Sequence, residues 1–548
     1  MSQNKKYYTL STHKTLYFLW VTTILFSATV FSSYAQISEG GTPPSFMYPA
    51  SQKTRSLQNK KNGIKNIYIP FSLDDLKADD ERMKEEFLPP RVAVLLPASF
   101  SPENSGVWST LPGGERIWQL RIMANKAKAI SLYYKKFNLP IGSKLFIYNS
   151  AHTHILGAYT HKTHPGKGKF ATEFVAGDDI ILEYVAPKSD EFPQNPEIEI
   201  EEIGYGYNYL SIKDSYSESL SGSCMVDINC EEGEQWQDHK NGVVKMIIPI
   251  GTSSFLCTGS ILNNTKEDLK PYLLTAFHCL LSSKEQASAS DLSQAQFFFR
   301  YENTTCGSNT PTSPVSMIGC TYIAGVPLEN GVDGALLLLN GKIPDNLNAY
   351  YNGWDRRNIA PQSGVCIHHP QGDVKKISTY DQPAVSDTWK SGSTQGLQDG
   401  HWNVIFKSTA NGHGVTEGGS SGAPLFDQNK RITGFLTGGN ANCTDRKEGR
   451  NLFGKLALFW DQCGTADDQR IDKYLDPIGS GVEYLDGRYA FPPKAVPEQV
   501  SAKWSSEEKR SIVNWEAPKG DEQPVRYKIY RNSTEIGTTT STSFSETA

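Results

Sequence analysis

The sequence predicts a mostly β protein of several domains, with a pair of packed β-barrels at its centre. Three observations carry that expectation. At 548 residues the chain exceeds what one hydrophobic core organises, so about two to four domains are expected. Short segments of period-two alternation, rich in β-branched and aromatic residues and broken by Gly, Pro and Asn, recur along the chain. All nine cysteines fall between Cys224 and Cys463, which marks that stretch as a unit of its own.

Residues 1–35 read as an export signal. Lys5, Lys6 and Lys14 lead an apolar run from Leu16 to Phe31, and Ser33-Tyr34-Ala35 supplies small residues where a signal peptidase reads. A membrane anchor is the alternative, but the run is short for a span of ~20 residues, and no later segment is apolar enough to cross a bilayer. The expectation is a secreted protein, extracellular or on a bacterial cell surface, with its cysteines paired and no integral membrane contact in the mature form. Hydrophobic residues at 38%, charged residues at 21% and a net charge of -5 suit a soluble globular protein. No basic excess or Lys/Arg stripe exists, so nucleic acid is not an expected partner.

Residues 36–216 begin with a polar lead-in, read as loosely structured to about Glu86. From Arg91 to Pro187 short strands follow, such as Arg116–Ile122, Ala129–Tyr134, Lys144–Tyr148 and Ile180–Val185, which predict a β-sandwich. His152, His154, His161 and His164 form a candidate metal cluster, but their Gly/Thr-rich surroundings read better as solvated loop. Pro187 to Pro196 is an acidic, proline-containing linker. Residues 217–488 hold the cysteine block, strand-rich with many Gly/Asn/Ser turns and a helical stretch at Asp467–Leu475. Residues 492–548 form a further unit. Its Val500–Trp504, Ile512–Trp515 and Tyr527–Asn532 segments resemble the first strands of a fibronectin type III domain, which implies an incomplete C-terminal β-sandwich.

Three segments of the cysteine block carry chemistry. Leu273–Cys279 is an apolar strand ending in His278-Cys279; an imidazole there can serve as general base, since neutral His titrates near ~6.5. A His beside a Cys also occurs for purely structural reasons. Val332–Leu339 places Asp333 immediately before a buried strand, where an unpaired carboxylate is costly. It can accept the Nδ1 proton of His278, or simply cap the strand entry. Glu417–Phe426 is the most specific: glycines flanking Ser421 allow a tight turn that points the backbone N–H groups of Gly419 and Ser421 inward as an oxyanion hole, with Ser421 as nucleophile. The bland reading is a Gly/Ser-rich loop, but the order His, Asp, Ser makes that reading poor. No CxxC pair suggests a zinc ribbon. No metal or organic cofactor is expected.

This order and these local texts resemble the trypsin/chymotrypsin family of serine endopeptidases. One departure is Ser420 before the nucleophile, where that family carries an Asp that pairs with the freed N-terminus on activation. Roughly from Ser221 to Gly487 the chain is more similar to the bacterial lysyl endopeptidases, through Ser221–Cys224 with Cys230, Cys257–Ser260, Tyr301–Cys306, Gly353–Arg357, Ile367–Pro370, Gly414–Glu417, Gly419–Gly422 and Leu475–Pro477. Ser before the nucleophile is ordinary in that group. The resemblance implies disulfides Cys224–Cys443, Cys230–Cys306 and Cys257–Cys279. For Cys320, Cys366 and Cys463 one further pair and one free thiol are expected.

It also implies a secreted serine endopeptidase acting on protein or peptide substrates through an acyl-enzyme. The enzyme would be made as a zymogen whose pro-region (36–216) serves as inhibitor or folding aid and is removed between Lys213 and Ser221. Two pocket positions depart from the lysyl group. Asn451, three residues before Gly454, stands where an Asp holds the substrate lysine, and Thr437 stands where a His lines the pocket. An uncharged Asn offers no charge-assisted pairing to an ammonium, so a basic (Lys) P1 preference is a weak expectation unless Asp445 or Glu448 substitutes. Val415 occupies the position of trypsin's own pocket acid. His368-His369 are adjacent on an extended strand, point to opposite faces and read as structural. The rivals are a catalytically inactive, protease-like binding or adhesion protein and a serine esterase. The order Ser, Asp, His of the α/β-hydrolases is absent.

Overall fold

The computed structural model describes residues 38–48, 63–86, 88–164, 168–187, 195–208, 220–444, 449–491 and most of the strands within 498–547. The export signal, the middle of the Pro187–Pro196 linker, all but the end of the Lys213–Ser221 stretch, and Asp445 and Glu448 lie outside the described residues.

The first unit is a two-layer sandwich. One sheet runs Ile64–Asn66, Arg116–Met123, Asp179–Val185, Lys144–Asn149, Ile155–Tyr159, with Val107–Thr110 beside Arg116–Met123. The facing layer contains Arg91–Phe100, Glu197–Gly206 and Ala129–Asn138. Period-two alternation sends Trp118, Leu120 and Ile122 from one layer, and Ile130, Leu132 and Tyr134 from the other, into a shared core. The polar lead-in is not loose throughout. Leu73–Glu85 is a helix whose N-cap Ser72 accepts from the Asp75 N–H, with Asp74 and Asp75 in its first turn and Arg82 and Lys84 in its last. Only Leu76 and Met83 of this helix are buried. Two anchors do not make an apolar stripe, so periodicity could not announce it.

Two barrels follow. The first is built from Val243–Ile250, Ser253–Leu262, Tyr272–Ala276, Gln296–Phe299, Val315–Ile318, Cys320–Val326 and Gly334–Leu339, around Val244, Met246, Ile261, Leu273, Phe297 and Leu337. The second comprises Val226–Asp227, Lys376–Tyr380, Gly364–His368, Pro424–Phe426, Ile432–Gly439, Asn451–Lys455, His401–Val404 and Val385–Asp387, around Cys366, Tyr380, Trp402, Leu425, Leu436 and Phe453. A third cluster joins the two, bringing Leu274, Val332 and Leu336 against Ile367, Phe426, Phe435 and Phe459. The expected helical stretch near the end resolves into Leu456–Asp461, a 3-10 turn Asp467–Gln469 and a single turn Asp472–Leu475. The C-terminal strands form a three-stranded sheet of Glu498–Ser505, Arg510–Glu516 and Ser543–Thr547 and a two-stranded sheet of Tyr527–Arg531 and Thr534–Thr539. Among the described residues no helix is long and apolar enough to cross a membrane.

One connection was not foreseen. Arg91–Phe100 pairs on its other edge with Ser253–Leu262, so the sandwich and the first barrel share a single twelve-stranded sheet.

The bridges Cys224–Cys443, Cys230–Cys306 and Cys257–Cys279 are present. The further pair expected among Cys320, Cys366 and Cys463 is not; all three are free thiols. They lie in different places: Cys320 in the core of the first barrel, Cys366 in that of the second, and Cys463 against the cluster between them. Buried Cys behaves as a small hydrophobe, and burial pushes the Cys320 and Cys366 thiols far up and Cys463 to about 11.

The histidine quartet is also not simply solvated loop. His152 stacks on Phe46 at 3.9 Å, His154 Nδ1 accepts the Ala176 N–H at 3.1 Å, and His164 Nε2 accepts the Gly168 N–H at 3.2 Å. These are structural contacts, one ring stack and two acceptors. Among the described residues, the one group of side chains within common metal-ligand reach is Cys257, His278 and Cys279, and two of those are spent in a disulfide.

The unreduced chain, denatured and treated with a thiol reagent, should therefore release three equivalents. A count of one would mean that a fourth bridge exists.

Candidate active site

The register of two strands places the first two candidate residues. Tyr272–Ala276 pairs antiparallel with Gly334–Leu339, Ala276 opposite Gly334. The residues just beyond that pair, Phe277-His278 and Asp333, must then face one another. The Phe277 N–H donates to the Asp333 carbonyl at 2.8 Å. Asp333 Oδ1 accepts the His278 backbone N–H at 2.9 Å, and Oδ2 takes His278 Nδ1 at 2.7 Å. Asp333 is fully buried, and these donors compensate a carboxylate withdrawn from water. Its φ of +62° puts it in the left-handed region, which Asp tolerates better than most residues and which recurs at functional sites.

The third candidate sits on a turn that only glycine permits. Gly419 (φ +92°) and Gly422 (φ +80°) flank the nucleophile loop. A Cβ on Gly419 would lie 2.7 Å from Leu256 Cδ2, and one on Gly422 2.4 Å from the Thr258 carbonyl. The loop is moored to the first barrel through Thr258. Its N–H donates to the Ser421 carbonyl at 2.9 Å, and its hydroxyl donates to the Gly419 carbonyl at 2.8 Å. Thr258 follows Cys257, whose bridge to Cys279 ends beside His278. Cys279 Sγ lies 3.6 Å from the Ser421 carbonyl oxygen, which brings the His278 and Ser421 segments together between the barrels. Among the described residues the Ser421 hydroxyl and the N–H groups of Gly419 and Ser421 make no hydrogen bond, which leaves them available to a reacting group.

Ser420 is held without a charge. Its hydroxyl contacts His368 Nδ1 at 2.7 Å and accepts the Glu417 N–H at 3.2 Å. His368 Nε2 reaches the Ser378 hydroxyl at 3.2 Å, and that hydroxyl donates to the Val415 carbonyl. The chain of donors runs in one direction if His368 is neutral, and burial together with Lys376 lowers it to about 3. His368 is structural, as its strand setting implies, and its role is to support the nucleophile loop. His369 turns away, its Nδ1 on the Asp373 carbonyl at 3.0 Å. Ser221 and Gly222 are tied to the same region. The Ser221 hydroxyl donates to Asp373 at 2.7 Å, and the Gly222 N–H donates to the Glu417 carboxylate at 3.2 Å.

Beside Ser421 a cavity of about 420 Å³ is walled by Thr416, Glu417, Gly418, Leu436, Thr437, Gly438 and Asn442. Of the three pocket candidates only Thr437 lines it. Val415 instead packs with Cys224, Met225 and Cys443. Asn451 stands behind Thr416, accepting its hydroxyl at 2.9 Å and donating to the Val404 carbonyl at 3.0 Å. Two residues that sequence reasoning did not single out belong here. Glu417 brings a carboxylate to the wall, its pKa raised by burial. His401 Nε2 meets the Thr437 hydroxyl at 3.1 Å, and burial lowers it to about 4. Nothing local marks His401, which comes from a strand 36 residues away.

Comparison with known proteins finds several similarities. The family model "Lysyl endopeptidase, C-terminal domain" matches residues 219–454. A lysyl endopeptidase of Pseudomonas aeruginosa is 30% identical over 315 residues, covering 55% of this chain and 62% of that protein. A secreted RxLR effector protein 73 of Plasmopara viticola is 22% identical over 267 residues, covering 46% and 62%. The chain thus spans about three-fifths of the length of these curated relatives. Among solved structures, the protease Anisep of Arthrobacter nicotinovorans is similar at 17% identity, covering 39% of this chain and 90% of that one with a TM-score of 0.28.

Proposed function

We propose that the chain is a serine endopeptidase in which Ser421 is the nucleophile, His278 the general base and acid, and Asp333 the residue that holds the His278 Nδ1–H. The observation that carries this reading is the buried Asp333–His278 pair beside a serine with an unengaged hydroxyl and two unengaged backbone N–H groups. Ser421 Oγ adds to the peptide carbonyl as its proton passes to His278 Nε2. Asp333 fixes the tautomer and stabilises the imidazolium. The oxyanion is met by the N–H groups of Gly419 and Ser421, each such donor being worth about 3–4 kcal/mol in the transition state. His278 then protonates the leaving amine, and water returns the acyl-enzyme to the free hydroxyl.

Supported by the similarity to one relative named as secreted and by the signal-like pattern of residues 1–35, the chain is proposed to be exported as a zymogen. Residues 36–216 would be the pro-region and 217–488 the protease. The similarity to a lysyl endopeptidase favours a basic P1 residue, but Asn451 supplies no charge, so the proposed preference is shallow and leans on Glu417 at the cavity wall.

Ser421→Ala should lower turnover by about 10⁶-fold and abolish labelling by a fluorophosphonate probe, with the fold intact by circular dichroism. Asp333→Asn should cost about 10⁴-fold; unchanged activity in that variant would mean that the acid is misassigned. Glu417→Gln should lower kcat/KM for lysyl peptides by about 10- to 100-fold, the worth of one charge-assisted hydrogen bond, and leave P1 norleucine peptides unchanged. N-terminal sequencing of the secreted product should begin between Lys213 and Ser221; a start at Gln36 would refute the pro-region.

A further inference from the structure

The sandwich strand Arg91–Phe100 reaches the reaction centre. Its first residues lie antiparallel on the first barrel, Val94 opposite Ser253, Ala93 opposite Ser254 and Arg91 opposite Phe255. The Leu256 N–H then donates to the Pro90 carbonyl at 2.9 Å. The next two residues of that barrel strand are Cys257, bridged to Cys279 beside His278, and Thr258, which holds the Ser421 carbonyl. This sheet edge therefore lies on the His278 side of the nucleophile. That is the side on which a leaving group must depart, because His278 has to give it a proton. The cavity walled by Thr416, Thr437 and Gly438 adjoins Ser421 and is not lined by His278.

Leu88, Pro89 and Pro90 form the facing wall of that same cavity. Pro90 packs directly on the nucleophile loop, since a Cβ on Gly418 would lie 2.7 Å from its Cγ. The segment is clamped from behind. Arg91 is buried, with its guanidinium on Asp79, Asp80 and the Tyr207 hydroxyl, and Met83 is seated in the core of the first barrel. Backbone pairing along an exposed edge is the way an extended peptide is commonly taken up by a sheet.

We infer that residues 90–94 occupy the leaving-group half of the substrate groove as an added strand, while Leu88 and Pro89 only border the cavity on the acyl side, which stays open together with the Ser421 hydroxyl. This rests on the endopeptidase reading. The intact chain is then blocked toward polypeptides yet competent toward small esters. Ser421 Oγ displaces the alcohol, which leaves with the proton from His278, and water hydrolyses the acyl-enzyme.

The test compares two esters with the same acyl peptide. One releases methanol; the other is a depsipeptide that releases a lactyl tetrapeptide. Initial rates are taken while the full chain remains a single band on a gel. The unaltered chain should hydrolyse the methyl ester but turn over the depsipeptide at least about 100-fold more slowly, a difference of two decades in rate. The double variant Leu88→Gly, Pro90→Gly, which loosens the segment, should bring the two rates together. Equal rates on both esters by the unaltered chain would overturn the inference and leave the endopeptidase reading standing. Because that ratio is measured on the unaltered chain, a variant that fails to fold does not protect the proposal. Absence of both ester hydrolysis and fluorophosphonate labelling would overturn the endopeptidase reading and this inference with it.

Discussion

The hydrogen-bonded pair of Asp333 and His278 constrains everything around it. A carboxylate at zero exposure is tolerable only if donors are already in place, so the strands that bring it there must keep their register. The Ala276–Gly334 pairing does this, and Phe435 and Phe459 crowd Gly334 so closely that no side chain fits. A slip of one residue would move His278 away and leave a buried charge unpaired. Register, burial and the orientation of the imidazole are therefore one constraint, and the Cys257–Cys279 bridge, a stabilisation of about 3 kcal/mol for a loop of this size, fastens it to the strand that carries Thr258.

The nucleophile loop is organised by neutral groups. Where an aspartate would need a cationic partner, Ser420 needs only a neutral imidazole, and His368 remains neutral because it is buried. The charged contacts lie one step out, at Asp373 and Glu417, and they hold the backbone of residues 221 and 222. The segment that follows the proposed cleavage stretch is thus in direct contact with the residue that opens the oxyanion loop. The two-turn glycine geometry does the rest, through close approaches to Leu256 and Thr258 that no Cβ would allow.

One layer of the sandwich continues into the first barrel as a single sheet. An edge strand left bare beside a reaction centre would be a template for any extended chain. Here the edge at Ser253–Phe255 is covered by residues 91–94 of the same polypeptide. Burial of Arg91 with Asp79 and Asp80 ties that cover to the helix Leu73–Glu85.

The sequence by itself determined what depends on local pattern: the strands, the order of His278, Asp333 and Ser421, and the glycines the nucleophile turn requires. Alternation and turn chemistry are written within a few residues of where they act, so these features were legible. The three disulfides came from resemblance, and the structure joins the same cysteines. Only the tertiary structure decided the rest. The helix Leu73–Glu85 has two buried anchors and no stripe. Cys320, Cys366 and Cys463 cannot meet because they belong to separate cores. Val415 packs away from the cavity it was expected to line, while Glu417 reaches it and His401 stands behind Thr437. The pairing of residue 94 with residue 253 joins segments about 160 positions apart. Such contacts depend on how whole sheets pack, and a sheet edge offers the same backbone N–H and C=O groups whatever its side chains spell.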